Sequence, residues 1–194
     1  MHEEHARAGR GCDHGAGDGQ DMEAPTCRRE TAYISAGSNI GDRRRNLEQA
    51  VVSLEEAGVS IGRVSSFFET EPVGFLQQPW FLNLALQAET TLTPLELLDC
   101  CQRIESASGR MRTFPGAPRT LDLDILFFGS TVCREERLML PHPRIADRRF
   151  VLEPLRQIAP EFVHPLLGRT VASLLDSCED TSIVRLYPHG DAHP

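Results

Sequence analysis

The chain has 194 residues, 40% of them hydrophobic, and a formal net charge of -8. That suits one domain of ordinary size with spare residues at the ends and argues against wholesale nucleic-acid binding. All 20 basic residues are arginine and none is lysine, which excludes both a Walker-type loop ending in Gly-Lys-Ser/Thr and Schiff-base chemistry on lysine. No stretch approaches 18 consecutive apolar residues and the N-terminus lacks an apolar signal region, so a cytoplasmic protein without a membrane partner is expected. The six cysteines include no Cys-x-x-Cys pair, so neither a structural zinc site nor a disulfide framework is expected.

Residues 1–30 are rich in Gly, His and charge and read as a disordered leader, with residues 187–194 as a flexible tail. Tyr33-Ile34-Ser35-Ala36 predicts a short strand, ended by Gly37-Ser38-Asn39. A helix follows with Asp42 as N-cap and Leu47, Ala50, Val51 and Leu54 as its apolar stripe, and Gly58 ends it. Residues 59–68 predict one strand, and residues 71–79 a loop broken by Gly and Pro. Residues 81–88 alternate cleanly, with Leu82, Leu84, Leu86 and Ala88 on one face and Phe81, Asn83, Ala85 and Gln87 on the other. Thr93-Pro94-Leu95-Glu96 opens a second helix with a capping box and a proline at its first position; Leu97, Cys101 and Ile104 form its buried stripe, and it ends near Gly109.

The next strand carries the chemistry. In Leu121-Asp122-Leu123-Asp124-Ile125-Leu126-Phe127 two carboxylates stand two positions apart in an apolar run. Period-two alternation puts Leu121, Leu123, Ile125 and Phe127 on one face and both aspartates on the other, about 6.5 Å apart at Cα. That spacing suits hard cations bridged by phosphate oxygens. Three arginines and no acid lie between Ser106 and Leu121, and residues 103–149 carry nine arginines against six acids. A cationic patch in an acidic protein reads as a small-anion site, and arginine is suited to phosphate by its bidentate fork. A further short strand near residues 131–133 and short helices at residues 151–158 and 171–175 complete the chain. The order β-α-β-β-α-β predicts an α+β fold, a ferredoxin-like antiparallel sheet with helices on one face plus C-terminal strand and helix additions, spanning residues 31–186. The open face is expected to carry Phe81, Asn83, Asp122 and Asp124 together.

Taken together, Gly37-Ser38-Asn39, Thr70-Glu71-Pro72-Val73-Gly74, Phe81-Leu82-Asn83, Gln102-Arg103-Ile104-Glu105, Gly109-Arg110-Met111-Arg112, Pro118-Arg119-Thr120-Leu121-Asp122-Leu123-Asp124 and Pro141-His142-Pro143 resemble the 6-hydroxymethyl-7,8-dihydropterin pyrophosphokinase family over residues 32–177. The resemblance implies transfer of the terminal pyrophosphate of ATP to the pterin hydroxymethyl group in folate biosynthesis, with release of AMP. It implies two magnesium ions on Asp122 and Asp124, and Arg110, Arg119, Asp122 and Asp124 as catalytic residues. It implies ATP contacts from Gln102, Glu105, Arg110, Arg112, Arg119, Ile125, Arg137, His142 and Arg148. Pterin contacts would come from Thr70, Pro72, Val73, Gly74, Phe81, Asn83 and Phe150. The partners expected are these two small molecules, and the protein is expected to be a monomer. One departure stands out: Phe114-Pro115-Gly116-Ala117-Pro118-Arg119 replaces the family's Arg-aromatic-Gly-Pro-Arg run, which bears on loop closure and rate rather than on reaction type. A second reading stays open, a non-catalytic ferredoxin-like module that senses a nucleotide or small anion.

Overall fold

Three long strands form the centre of the sheet: β1 (Glu30–Ser38), β4 (Phe81–Thr90) and β5 (Asp122–Phe128). The computed structural model describes residues 28–74, 76–110 and 116–188. Between β1 and β5 lie α1 (Arg43–Glu56), β2 (Ser60–Val64), β3 (Phe68–Thr70) and α2 (Pro94–Ala107). After β5 come β6 (Cys133–Arg134), β7 (Met139–Leu140), α3 (Arg149–Ile158), α4 (Val171–Asp176) and β8 (Val184–Leu186). The strands run β5-β1-β4-β3-β8, all antiparallel, with β2 also paired to β4 and β6 paired to β7 apart from the sheet. This is an α+β protein built on an antiparallel sheet with four helices. Among the described residues no helix is long and apolar enough to cross a membrane.

The local signals explain the elements. Asp42 accepts the Arg45 N–H at 3.0 Å to cap α1, and Thr93 and Glu96 close a capping box on α2. Gly58 and Gly109 follow the two helices with φ of 85° and 76°, a region that glycine enters at no steric cost. The α1 and α2 stripes meet the sheet face formed by Ile34, Ala36, Leu82, Leu84, Leu86, Leu121, Leu123 and Ile125. Leu47, Leu54, Leu84 and Leu97 are at most 1% exposed, and each such burial stabilises the fold by about 1.5–3 kcal/mol.

Three expectations are corrected. The strand predicted at residues 59–68 is two strands, β2 and β3, laid end to end on the same edge of β4. Between them Ser65 N–H reaches Ala85 O at 2.9 Å, and Ser65 Oγ accepts the Ala85 N–H at 2.9 Å. A buried serine thus replaces one step of the ladder. Second, the helices do not all lie on one face. Helices α3 and α4 cover part of the opposite face, packing Val151, Leu152, Leu155, Leu174 and Leu175 on Tyr33, Ala85 and Phe127. Third, Phe127 does not share a face with Leu121, Leu123 and Ile125. The β1 register jumps from Tyr33↔Phe127 to Ile34↔Ile125, so Leu126 is an extra residue in a β-bulge. Phe127 then joins the second core and Phe128 the first. At the sheet's margins Glu30 already pairs with Thr90, and Tyr187 N–H donates to Phe67 O at 2.8 Å.

Candidate active site

Because α3 and α4 cover only part of the second face, the other part is open, and the sheet's polar residues cluster there. One row runs across three strands, from Asn83 on β4 through Gly37 on β1 to Asp122 on β5. The next row puts Ser35 opposite Asp124. These residues line a cavity of about 620 Å³, within the usual range for a small-molecule site. Thr70 at the end of β3, the loop residues Val73, Gly74 and Gln78, and Arg110, Arg119, His142, Arg144, Arg148 and Phe150 complete its lining.

The two carboxylates differ in their surroundings. Asp122 is held by arginines on both oxygens, by Arg110 Nη1 at 2.8 Å and by Arg119 Nη1 at 2.8 Å. Asp124 has no hydrogen bond or ion pair among the described residues. Burial, reinforced by the charge of Asp122, pushes its carboxyl up to about 6. Glu105, 3% exposed, braces the pair from α2. It accepts the Leu123 N–H at 2.8 Å and pairs with Arg110. One buried carboxylate thus fixes both the backbone between the aspartates and an arginine beside them.

Among the described residues four arginines line this cavity: Arg110, Arg119, Arg144 and Arg148. The Nε of Arg119 is buried and has no hydrogen-bond acceptor among the described residues. Arg144 and Arg148 make no ion pair among the described residues. Burial, with Arg144 nearby, pulls the Arg148 guanidinium below its usual range. Burial, then the charges of Arg148 and Arg144, lowers His142 to about 4, so its ring is neutral near pH 7. The β5 bulge places that histidine, because His142 N–H donates to Leu126 O at 2.9 Å. The Arg144 N–H donates to His142 Nδ1 at 3.2 Å, leaving Nε2 to carry the ring proton.

Phe81 and Phe150 also line the cavity. Arg119 stands 5.4 Å from the Phe81 ring centroid and Arg148 5.4 Å from that of Phe150. Asn83, 3% exposed, donates from Nδ2 to Thr70 Oγ1 at 2.8 Å. Its Oδ1 would lie 2.5 Å from a Cβ at Gly37, so any side chain in the middle of the row must displace the Asn83 amide.

Most residues expected from the sequence meet here: Thr70, Val73, Gly74, Phe81, Asn83, Gln102, Glu105, Arg110, Arg119, Asp122, Asp124, His142, Arg148 and Phe150 all line the cavity. Arg137 does not; it pairs with Asp99 on the outer surface of α2. Ile125 is in the core beneath the aspartates, and Pro72 is buried without reaching the cavity wall. Arg112 and Phe114 lie outside the described residues. Sequence reasoning missed Ser35, Glu71, Gln78 and Arg144. Ser35 could have been found by extending the strand alternation from Ile34 and Ala36, and Arg144 by its position two residues after His142. Among the described residues no group of three His, Cys, Asp or Glu side chains could hold a metal ion.

A family model for 7,8-dihydro-6-hydroxymethylpterin-pyrophosphokinase (HPPK) matches residues 33–160. The chain is 49% identical over 131 residues to the 2-amino-4-hydroxy-6-hydroxymethyldihydropteridine pyrophosphokinase of Bacillus subtilis, covering 67% of this chain and 78% of that one. It is 40% identical over 156 residues to the enzyme of the same name from Methylorubrum extorquens, covering 80% and 98%. It spans only 22% of the folic acid synthesis protein fol1 of Pneumocystis carinii, to which it is 37% identical. The solved structure of wild-type Plasmodium falciparum HPPK-DHPS shares the fold, with a TM-score of 0.61 at 16% identity over 77% of this chain and 44% of that one. These likenesses place the chain among the pyrophosphokinases of folate synthesis. It belongs to the 7,8-dihydro-6-hydroxymethylpterin-pyrophosphokinase family.

Proposed function

We propose that the chain transfers the terminal pyrophosphate of ATP to the hydroxymethyl group of 6-hydroxymethyl-7,8-dihydropterin and releases AMP. One observation carries this reading: a single cavity joins a carboxylate pair ringed by arginines to an aromatic-and-amide slot, along one row of the sheet. A flat heteroaromatic fits between Phe81 and Phe150, and Asn83 beside Thr70 reads its donor-acceptor edge. The arginines take the polyphosphate, with the Nε of Arg119, which has no acceptor among the described residues, as a donor for an anion. Membership of the family disfavours the sensing-module reading.

The donor set fits magnesium. Asp122 and Asp124 offer oxygen ligands only, and magnesium takes one or two carboxylates and completes its shell with phosphate oxygens and water. Two such ions on these aspartates would neutralise the triphosphate and stabilise charge developing at the β-phosphorus. The chain's own groups do the rest. Glu105 fixes the β5 backbone and Arg110, so the phosphate-facing groups are ordered before substrate arrives. Arg110 and Arg119 would meet the transferred group from beside Asp122, and neutral His142 would donate from Nε2. Arg148 and Phe150, both at the start of α3, bring one phosphate contact and one pterin wall on the same helix.

We also read the order β5-β1-β4 followed by the broken β2/β3 strand as a ferredoxin-like core, with α3, α4 and β8 as additions and residues 31–186 as the domain. We take it to work as a cytoplasmic monomer on these two small molecules.

Incubation with ATP, the pterin and magnesium tests the reading. AMP and the pterin pyrophosphate are expected; ADP as the nucleotide product would sink it. A second expectation concerns the slot. In Gly37→Ala the new methyl would displace the Asn83 amide from Thr70. Loss of such buried hydrogen bonds costs about 1–3 kcal/mol, so calorimetric titration should show pterin affinity lowered roughly 10- to 100-fold, with nucleotide affinity little changed. An unaltered pterin affinity would count against the placement of Asn83.

A further inference from the structure

Asn39 follows β1 and is 2% exposed. Every polar atom of its side chain is used. Oδ1 accepts the Arg119 N–H at 2.7 Å, and Nδ2 donates to Gln78 Oε1 at 2.9 Å and to Pro79 O at 3.0 Å. Its backbone N–H donates to Arg119 O at 3.0 Å. Gln78 completes a ring of bonds by donating from Nε2 to Gly116 O at 3.2 Å. One buried amide and one loop amide therefore join three segments: the turn after β1, the loop between β3 and β4, and the loop that ends in Arg119. The second segment borders the pterin slot and the third carries the phosphate arginine, so this bridge sets the span between the two half-sites.

We infer that Asn39 and Gln78 are positioning residues that hold the two bound substrates in line for transfer, acting through the Arg119 backbone. This rests on the reading of the cavity as the pyrophosphokinase site. Fixing two reactants relative to each other lowers the barrier without tightening the binding of either, and a misplacement of about 1 Å remote from the chemistry costs on the order of 10²-fold. The signature is a fall in the rate of transfer with little change in either KM.

Gln78→Ala removes the bridge from the loop side. Asn39→Asp removes it from the strand side, because the carboxylate still accepts the Arg119 N–H but can no longer donate to Gln78 or Pro79. Single-turnover AMP release at saturating ATP, magnesium and pterin should fall about 10- to 100-fold in Gln78→Ala, with both KM values within about threefold of wild type. Asn39→Asp should fall similarly, and the double variant should be no slower than the slower single one, since both cut the same bridge. A wild-type single-turnover rate in Gln78→Ala overturns the inference. So does a raised KM at unchanged rate, which would make Gln78 a contact residue instead. Gln78 is on a loop, so its variant keeps the test decisive should Asn39→Asp fail to fold. A wild-type protein that releases ADP or binds neither substrate removes the underlying reading, an outcome distinct from normal AMP release by the variants.

Discussion

Asp124→Asn should reduce turnover by about 10³-fold or more while leaving the metal-free protein at least as stable as wild type. The two halves of this result have one cause. Asp124 has no hydrogen bond or ion pair among the described residues, and burial beside Asp122 pushes its carboxyl up to about 6. An acid whose folded value lies above its unfolded one destabilises the fold once the pH exceeds both. The unfolded chain then ionises freely, whereas the folded one ionises at a cost. Asparagine has the same shape and no charge, so the variant should gain up to about 3 kcal/mol near pH 7.5, or up to about 6–12 °C in Tm. The advantage should fade as the pH falls from about 6 through 3.8, where the acid becomes neutral in both states. Calorimetry in a chelator, paired with the AMP assay, checks both halves. A near-normal rate would remove Asp124 from the site, and a large drop in Tm would show that its carboxylate has a stabilising partner.

Arg119→Ala should lower the single-turnover rate roughly 10³-fold. Two contacts and one unsatisfied donor meet in that residue. Its Nη1 holds Asp122 at 2.8 Å, its guanidinium stands over Phe81, and its Nε has no acceptor among the described residues. A group so placed can stabilise charge on a transferring phosphoryl only if its fork is intact, so Arg119→Lys should recover little of the rate. The backbone bonds to Asn39 do not depend on the side chain, so the surrounding loop should stay in place. A rate within about fivefold of wild type, or full rescue by lysine, would exclude a bidentate role.

The carboxylate pair was legible because a strand alternates with period two and nothing in residues 121–125 breaks the alternation. The helix starts were legible because a capping box is local chemistry. What escaped depends on distant partners. Nothing around Leu126 announces a bulge; the carbonyl it frees is satisfied by the His142 N–H, from a later loop. The break in the strand at Ser65 is held by Ala85 on β4. Arg137 was a nucleotide contact by family resemblance; in the fold it pairs with Asp99 of α2 on the outer surface. The short C-terminal helices were visible as elements, yet their face was not, because an apolar stripe does not state which side of a sheet it will meet. Their partial coverage is what divides the second face into core and cavity.

The bulge also bears on how this chain can vary. Up to Ile125, odd-numbered residues of β5 face the α1/α2 core and even-numbered ones the cavity; beyond it Phe128 faces that core and Phe127 the other. The strand is read in two frames, joined at one residue. A deletion at Leu126 would restore an unbroken ladder with Leu123, Ile125 and Phe128 still facing the α1/α2 core and the aspartates and Phe127 the other side, whereas a deletion between Asp122 and Ile125 would put the aspartates and the aromatic pair in conflict over which side faces the helices. Deletions of a single residue in β5 are therefore not interchangeable along its length, and lineages of this chain should tolerate them best where the frame changes.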